Sequence, residues 1–221
     1  MNLIHCIFDW DGVIIDSHDQ HQRSWFLLAE EIGLPLSKEQ FKATFGQRNA
    51  SIIPLLGWAE ATDEDRIAEL GDRKEILYRQ IIRQEGIEPL PGVRELLASL
   101  KAAKIPCAVG SSTPAANIET VMEIIGMTDE FEAIAAAEDV SAGKPAPDIF
   151  LVAAKKLRAD PSECLVFEDA GVGLQAAAAA GMRAVALTTT HPAESLAPHR
   201  PALTVPDLSH VTLQTLLNLF L

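Results

Sequence analysis

The chain opens on a short apolar run, Leu3 to Phe8, in which only His5 is polar, and Asp9-Trp10-Asp11-Gly12 follows at once. An apolar run of this length that ends at a polar, glycine-containing cluster predicts a strand buried on both faces. Beyond Ser17 the period changes. His18 to Ile32, Ser37 to Phe45, Ser51 to Leu56 and Asp63 to Gln84 place apolar residues three or four apart, with breakers such as Gly33-Leu34-Pro35 between them, and predict helices. This stretch has no strand pattern and ends at Gly86, after which Pro89-Leu90-Pro91-Gly92 marks a boundary.

From Val93 helices and short apolar strands alternate. Val93 to Ala103, Pro114 to Ile125, Pro147 to Leu157 and Gly173 to Ala180 read as helices; Ile105 to Gly110, Ala133 to Ala137, Cys164 to Phe167 and Ala184 to Leu187 read as strands. Such alternation implies βαβ units and a mainly parallel sheet with helices on both faces, an α/β fold. Residues 1–16 and 89–221 then form the α/β core, and 17–88 are an all-helical insertion after its first strand. The alanine run Ala176 to Ala180 predicts a closely packed helix. Gly171-Val172-Gly173 lacks the third glycine of a dinucleotide fingerprint, so NAD is not expected. Val211 to Leu221 predicts a last helix against the sheet edge.

With 221 residues, 48% of them apolar, the chain can bury a sizeable core. A net charge of −13 argues against partners that demand clustered Lys and Arg, so neither nucleic acid nor an anionic membrane is expected. The first apolar stretch is too short for a signal peptide and has no charged lead-in, and nothing is long enough to span a bilayer, so the expectation is a cytoplasmic protein. Cys6, Cys107 and Cys164 fall in strand-like runs without metal-type spacing and read as small buried hydrophobes.

In open α/β sheets ligands bind beyond the carboxyl ends of the strands, so the polar residues just past each strand are the candidates. These are Asp9 and Asp11 after the first strand, Ser111, Ser112 and Thr113 after the second, Lys144 in Gly143-Lys-Pro-Ala-Pro-Asp148, and Glu168-Asp169 after Cys164 to Phe167. Singly each has a plain alternative: Ser111 as a helix N-cap, Lys144 as a solvated loop charge, Glu168-Asp169 as caps of the next helix. Together they offer three carboxylates for a hard cation, a lysine to offset phosphate charge, a hydroxyl donor, and a spare carboxylate for proton transfer.

Asp9-Trp-Asp-Gly-Val-Ile-Ile-Asp-Ser17, Ser111, Lys144 in Gly-Lys-Pro-Ala-Pro-Asp-Ile-Phe, and Phe-Glu168-Asp169-Ala-Gly-Val-Gly occur in the order of the haloacid dehalogenase superfamily. The chain resembles that superfamily over nearly its whole length, within the group that includes β-phosphoglucomutase and small sugar-phosphate phosphatases. The resemblance implies a Rossmann-like core and a helical cap that sets substrate specificity, hinged near Ser17 and Pro89. It implies that Asp9 attacks phosphorus to form an aspartyl-phosphate and that Asp11 moves the proton. It also implies Mg²⁺ held by Asp9, the Asp11 backbone carbonyl, Asp169 and Glu168, with Lys144 and Ser111 on the phosphoryl oxygens. Dehalogenases lack the second carboxylate, so Asp11 favours phosphoryl transfer.

Three residues of the helical segment are candidate substrate contacts: His21, which matches a histidine of the mutase, Arg48 in Gly46-Gln-Arg-Asn49, and Lys74, which aligns with a substrate-facing lysine. Ser112 and Asn117 are further candidates, Asn117 with a solvent-facing first helical turn as its alternative. Two departures weigh against the mutase. Arg48 follows Gly46 by two residues where the mutase arginine follows by three, and Ser112-Thr113-Pro114 replaces the run that leads to the mutase's Lys and Asn. The expectation is a monomeric Mg²⁺-dependent phosphatase of a small phosphorylated metabolite, a sugar or polyol phosphate, with a sugar phosphomutase as the alternative. A receiver-type phosphoacceptor needs neither the helical insertion nor Asp11.

Overall fold

The computed structural model describes residues 4–44 and 47–220; Leu3, Phe45, Gly46 and Leu221, which bounded some expected segments, lie outside them. β1 (His5–Phe8) leads to four helices, α1 (His18–Ile32), α2 (Lys38–Thr44), α3 (Asn49–Leu55) and α4 (Glu64–Glu85). Alternation follows: α5 (Val93–Ala102), β2 (Cys107–Gly110), α6 (Ala115–Ile125), β3 (Ala133–Ala135), α7 (Asp148–Leu157), β4 (Cys164–Glu168), α8 (Gly171–Ala179), β5 (Arg183–Leu187), α9 (Ala193–Leu196), β6 (Leu203–Val205) and α10 (Leu213–Asn218). The chain divides into two compact units, Met1–Asp16 with Glu88–Leu221, and Ser17–Ile87.

The first unit is a parallel six-stranded sheet in the order β3-β2-β1-β4-β5-β6. The chain steps outward from β1 to β3, then returns to the other side of β1 as β4. The carboxyl ends of β1 and β4 therefore mark the switch point, where the connecting loops part and leave a crevice. Strand β1 is buried at every position, which is why its sequence reads as a continuous apolar run rather than an alternating one. Its register partners Phe8 and Phe167 stack at 4.4 Å. Below the sheet, Ile7, Val166 and Phe150 share one core with Ala176 and Ala177, whose small side chains let α8 lie close to the sheet. The three cysteines are free and buried.

Two features differ from the sequence reading. Strand β6 was not expected, because Leu-Thr-Val sits near Pro201 and Pro206 and is too short to show a period; its parallel pairing with β5 creates it. The last helix stops at Asn218 and packs on α5, and Phe220 beyond it takes the Arg183 guanidinium at 4.5 Å.

In the second unit every regular element among the described residues is a helix. Gly33 ends α1 in the left-handed region (φ 67°), and the Asp63 side chain caps α4 by accepting from Arg66 N at 3.1 Å. Helices α1 and α4 pack together around Trp25, Leu28, Phe41, Ile53, Trp58 and Leu77. Each such side chain stabilises by about 1.5–3 kcal/mol on full burial. Two exposed ion pairs, Arg73–Glu31 and Arg23–Glu85, join the same helices and add little in water. Among the described residues no helix is long and apolar enough to cross a membrane.

Candidate active site

Asp9 follows β1 directly, and its N–H continues the ladder by donating to Phe167 O at 3.0 Å. Gly12 then turns the chain at φ 81°, its N–H donating to Ile15 O at 2.7 Å. A side chain is excluded there twice over, since a Cβ on Gly12 would lie 2.2 Å from Asp169 Oδ2. At the end of β2, Thr113 Oγ1 donates to Asp11 Oδ2 at 2.5 Å. Ser111 Oγ accepts from Thr113 N and donates to Thr113 Oγ1, both at 3.3 Å. Pro114, not Ser111, occupies the N-cap of α6, which removes the capping alternative for Ser111.

Lys144 comes from the loop before α7 and reaches two acids. Its Nζ lies 3.0 Å from Asp9 Oδ1 and pairs with Glu168 Oε1. Its side chain is only 8% exposed, so it is not a solvated loop charge. Burial works against the ammonium, but the attraction of Asp9 and Glu168 outweighs it and holds the pKa above the usual lysine value. Glu168 Oε2 accepts from the N–H groups of Asp169 and Ala170 at 2.9 Å each, so this carboxylate does serve the start of α8 while its other oxygen holds Lys144.

One oxygen from each of Asp9, Glu168 and Asp169 lies within 4.8 Å of the others. Burial first, and then the charges of neighbouring acids, pushes Glu168 up to about 8 and Asp169 up to about 6, with Lys144 opposing the rise in both. Three buried carboxylates with one lysine among them carry excess negative charge, and an all-oxygen donor set of this kind suits a hard divalent cation such as Mg²⁺. Both Glu168 oxygens are engaged by protein donors, which leaves Asp9 and Asp169 better placed to offer an oxygen directly.

The sequence reading missed Thr113 as a partner of Asp11, and Thr189 and Thr190 altogether. Thr190 Oγ1 donates to Asp169 Oδ2, and Thr189 Oγ1 donates to Gly12 O at 2.5 Å. They lie two and three residues past the end of β5, where polar residues beyond a strand's carboxyl end are candidates as they are after β1, β2 and β4. Of the other candidates in this unit, Ser112 is half-buried beside Ser111, and Asn117 is 0% exposed, which removes its solvent-facing alternative.

In the helical unit, Lys74 is 2% exposed, with Nζ 2.7 Å from His21 Nδ1 and 3.0 Å from Glu75 Oε1. A lysine donating to Nδ1 leaves the ring proton of neutral His21 on Nε2. The His21 ring stacks on Tyr78 at 4.2 Å. Asn49 Nδ2 donates to the same Glu75 oxygen at 2.7 Å. Arg48, half-buried, stands at the N-cap of α3, one residue before Asn49.

The doubly wound parallel sheet gathers at its switch point an Asp-x-Asp pair, a hydroxyl, a buried lysine and a second acidic pair. The family model for haloacid dehalogenase-like hydrolases matches residues 5–181, and the chain belongs to that family. It is 34% identical over 179 residues to the fructose-1-phosphate phosphatase YqaB of Escherichia coli (strain K12), covering 81% of this chain and 93% of the relative. It is 35% identical over 192 residues to the beta-phosphoglucomutase of Bacillus subtilis (strain 168), covering 84% of each. Among solved structures, a HAD hydrolase of family IA, variant 3, from Entamoeba histolytica superposes with a TM-score of 0.88 at 28% identity over 99% of both chains.

Proposed function

We propose that the protein is a Mg²⁺-dependent phosphatase that hydrolyses a small phosphorylated metabolite, a sugar or polyol phosphate, through an aspartyl-phosphate on Asp9. The observation that carries this reading is the placement of Lys144 between Asp9 and Glu168, with Asp11 two residues along and held by Thr113. Bound Mg²⁺, held by Asp9, the Asp11 backbone carbonyl and Asp169 with Glu168 beside them, supplies positive charge that lets an anionic nucleophile approach an anionic phosphate. That repulsion is about 4 kcal/mol for two unit charges at 4 Å and an effective dielectric of 20.

An Asp9 oxygen attacks phosphorus while the bond to the leaving oxygen breaks, and Asp11 gives that oxygen its proton. Asp11 then takes a proton from water, whose oxygen attacks phosphorus and releases Asp9 and inorganic phosphate. Lys144 and Ser111 hold the phosphoryl oxygens that are not reacting. The core 1–16 and 89–221 carries this chemistry, and substrate choice is assigned to the helical cap 17–88 through His21, Arg48 and Lys74, with Ser112 and Asn117 as contacts from the core.

Similarity to a beta-phosphoglucomutase favours a second reading, in which Asp9 returns the phosphoryl group to a sugar instead of to water. The test is purified protein with MgCl₂ and fructose 1-phosphate, or β-glucose 1-phosphate with a trace of the bisphosphate. Release of inorganic phosphate, lost in Asp9→Asn, is the expected result. Isomerisation without phosphate release overturns hydrolysis in favour of the mutase.

A further inference from the structure

We infer that Thr189 and Thr190 form a positioning clamp for the cation-binding edge of the site, an inference that rests on the reading of Asp9, Asp11 and Asp169 as cation holders. The two hydroxyls come from consecutive residues in the loop just past β5 and grip the segments beyond two other strands. Thr190 Oγ1 donates to Asp169 Oδ2, beyond β4; Thr189 Oγ1 donates to Gly12 O, in the turn beyond β1. Asp169 Oδ2 also lies against Gly12, with no room for a Cβ between them, and that same absent Cβ would meet Thr190 Cγ2 at 3.0 Å. The turn that carries the Asp11 carbonyl and the carboxylate of Asp169 are thus locked to each other through one short segment.

A hydroxyl has one proton to give. Thr190 gives it to a carboxylate, so its 2.8 Å contact with His191 Nδ1 has the imidazole as donor, and the order runs His191 Nδ1–H to Thr190 Oγ1–H to Asp169 Oδ2. A donor on Oδ2 favours one rotation of the carboxylate, and that rotation sets how Asp169 is presented to a cation. Such outer partners of metal-holding carboxylates are typically worth about tenfold to a hundredfold in metal affinity. Thr190 is exposed at its own surface, so its hydroxyl can be removed without opening the core.

The test is titration calorimetry of MgCl₂ into the full chain stripped of divalent ions, for the unaltered protein, Thr190→Val, Thr190→Ser, Thr189→Val and Asp169→Asn. Thr190→Val is expected to weaken Mg²⁺ binding by about tenfold and Thr189→Val by a few fold, whereas Thr190→Ser, which keeps the hydroxyl, stays within about twofold. The melting temperature of the cation-free variants serves as the control for a merely structural role. Should Thr190→Val fold poorly, Thr190→Ala removes the same hydroxyl without crowding and carries the same expectation. Unchanged Mg²⁺ affinity in the hydroxyl-free Thr190 variant overturns the clamp alone. An unaltered protein that binds no Mg²⁺ at millimolar concentration, or an Asp169→Asn variant that binds it normally, overturns the cation-site reading beneath it.

Discussion

Lys144 Nζ and Asp9 Oδ1 stand 3.0 Å apart, and the same ammonium pairs with Glu168. One buried cation thus serves the proposed nucleophile and an acid of the following motif. Replacing it with the apolar Lys144→Met keeps most of the stem and removes the charge. Turnover is expected to fall by about 10²–10³-fold, the usual loss for one preorganised electrostatic partner of a transition state. Steady-state rates of phosphate release check this, and a loss smaller than fivefold would remove Lys144 from the mechanism.

Glu168 and Asp169 make the stability of the cation-free protein depend on pH in a defined direction. Their pKa values in the native state, about 8 and about 6, lie above the ordinary 4.5 and 3.8, so the native state binds more protons than the unfolded chain between those limits. Stability from these groups is fully present below pH 4 and is lost as pH rises through 6 and then 8. Magnesium competes with the same protons. The rise in melting temperature on adding MgCl₂ is therefore expected to be small at pH 5.5 and larger at pH 8, and an equal rise at both pH values would contradict the linkage.

His5 acts in the opposite sense. It is 4% exposed in β1 with no hydrogen-bond partner for Nδ1 among the described residues, and burial lowers its pKa from 6.5 although Glu163 and Glu132 pull it upward. The unfolded chain takes up this proton below pH 6.5 while the native state resists, so its contribution is present above 6.5 and lost as pH falls. In His5→Phe that loss should vanish. The difference in urea stability between the two proteins at pH 7.5 and pH 5.5 isolates it, because Glu168 and Asp169 are common to both. One proton limits the slope to about 1.4 kcal/mol per pH unit.

The parallel sheet was legible because β1, β2 and β4 are buried on both faces and so show as continuous apolar runs ended by polar residues. The position of the site was legible for the same reason: Asp9, Ser111 and Glu168-Asp169 mark where the apolar runs give way to polar residues although burial continues. Strand β6 was not, since its partner lies elsewhere in the chain and no local period announces three residues. The hydroxyl partners Thr113, Thr189 and Thr190 share that limit. A threonine after a strand is ordinary, and what distinguishes these is the carboxylate or carbonyl that a distant segment brings to within hydrogen-bond reach. The pairing of Lys74 with His21 likewise joins α4 to α1 across 53 positions of chain.

Gly173 tests how tightly Glu168 is fixed. It stands in the first turn of α8, and a Cβ there would lie 1.8 Å from Glu168 Oε1 and 1.9 Å from its Cδ. In an unhindered helix, replacing glycine with alanine gains about 1 kcal/mol. Here the carboxylate cannot swing aside without giving up either Lys144 or the two N–H donors of Asp169 and Ala170. Gly173→Ala is therefore expected to destabilise by about 2 kcal/mol or more, in the range of overpacked cores. In a Glu168→Ala background the colliding atoms are gone, and the same substitution should be neutral or stabilising. Urea unfolding of the four proteins measures the coupling directly. Equal destabilisation in both backgrounds would mean that α8 rejects the methyl for a reason other than Glu168, and the rigid carboxylate on which Lys144 depends would lose its support.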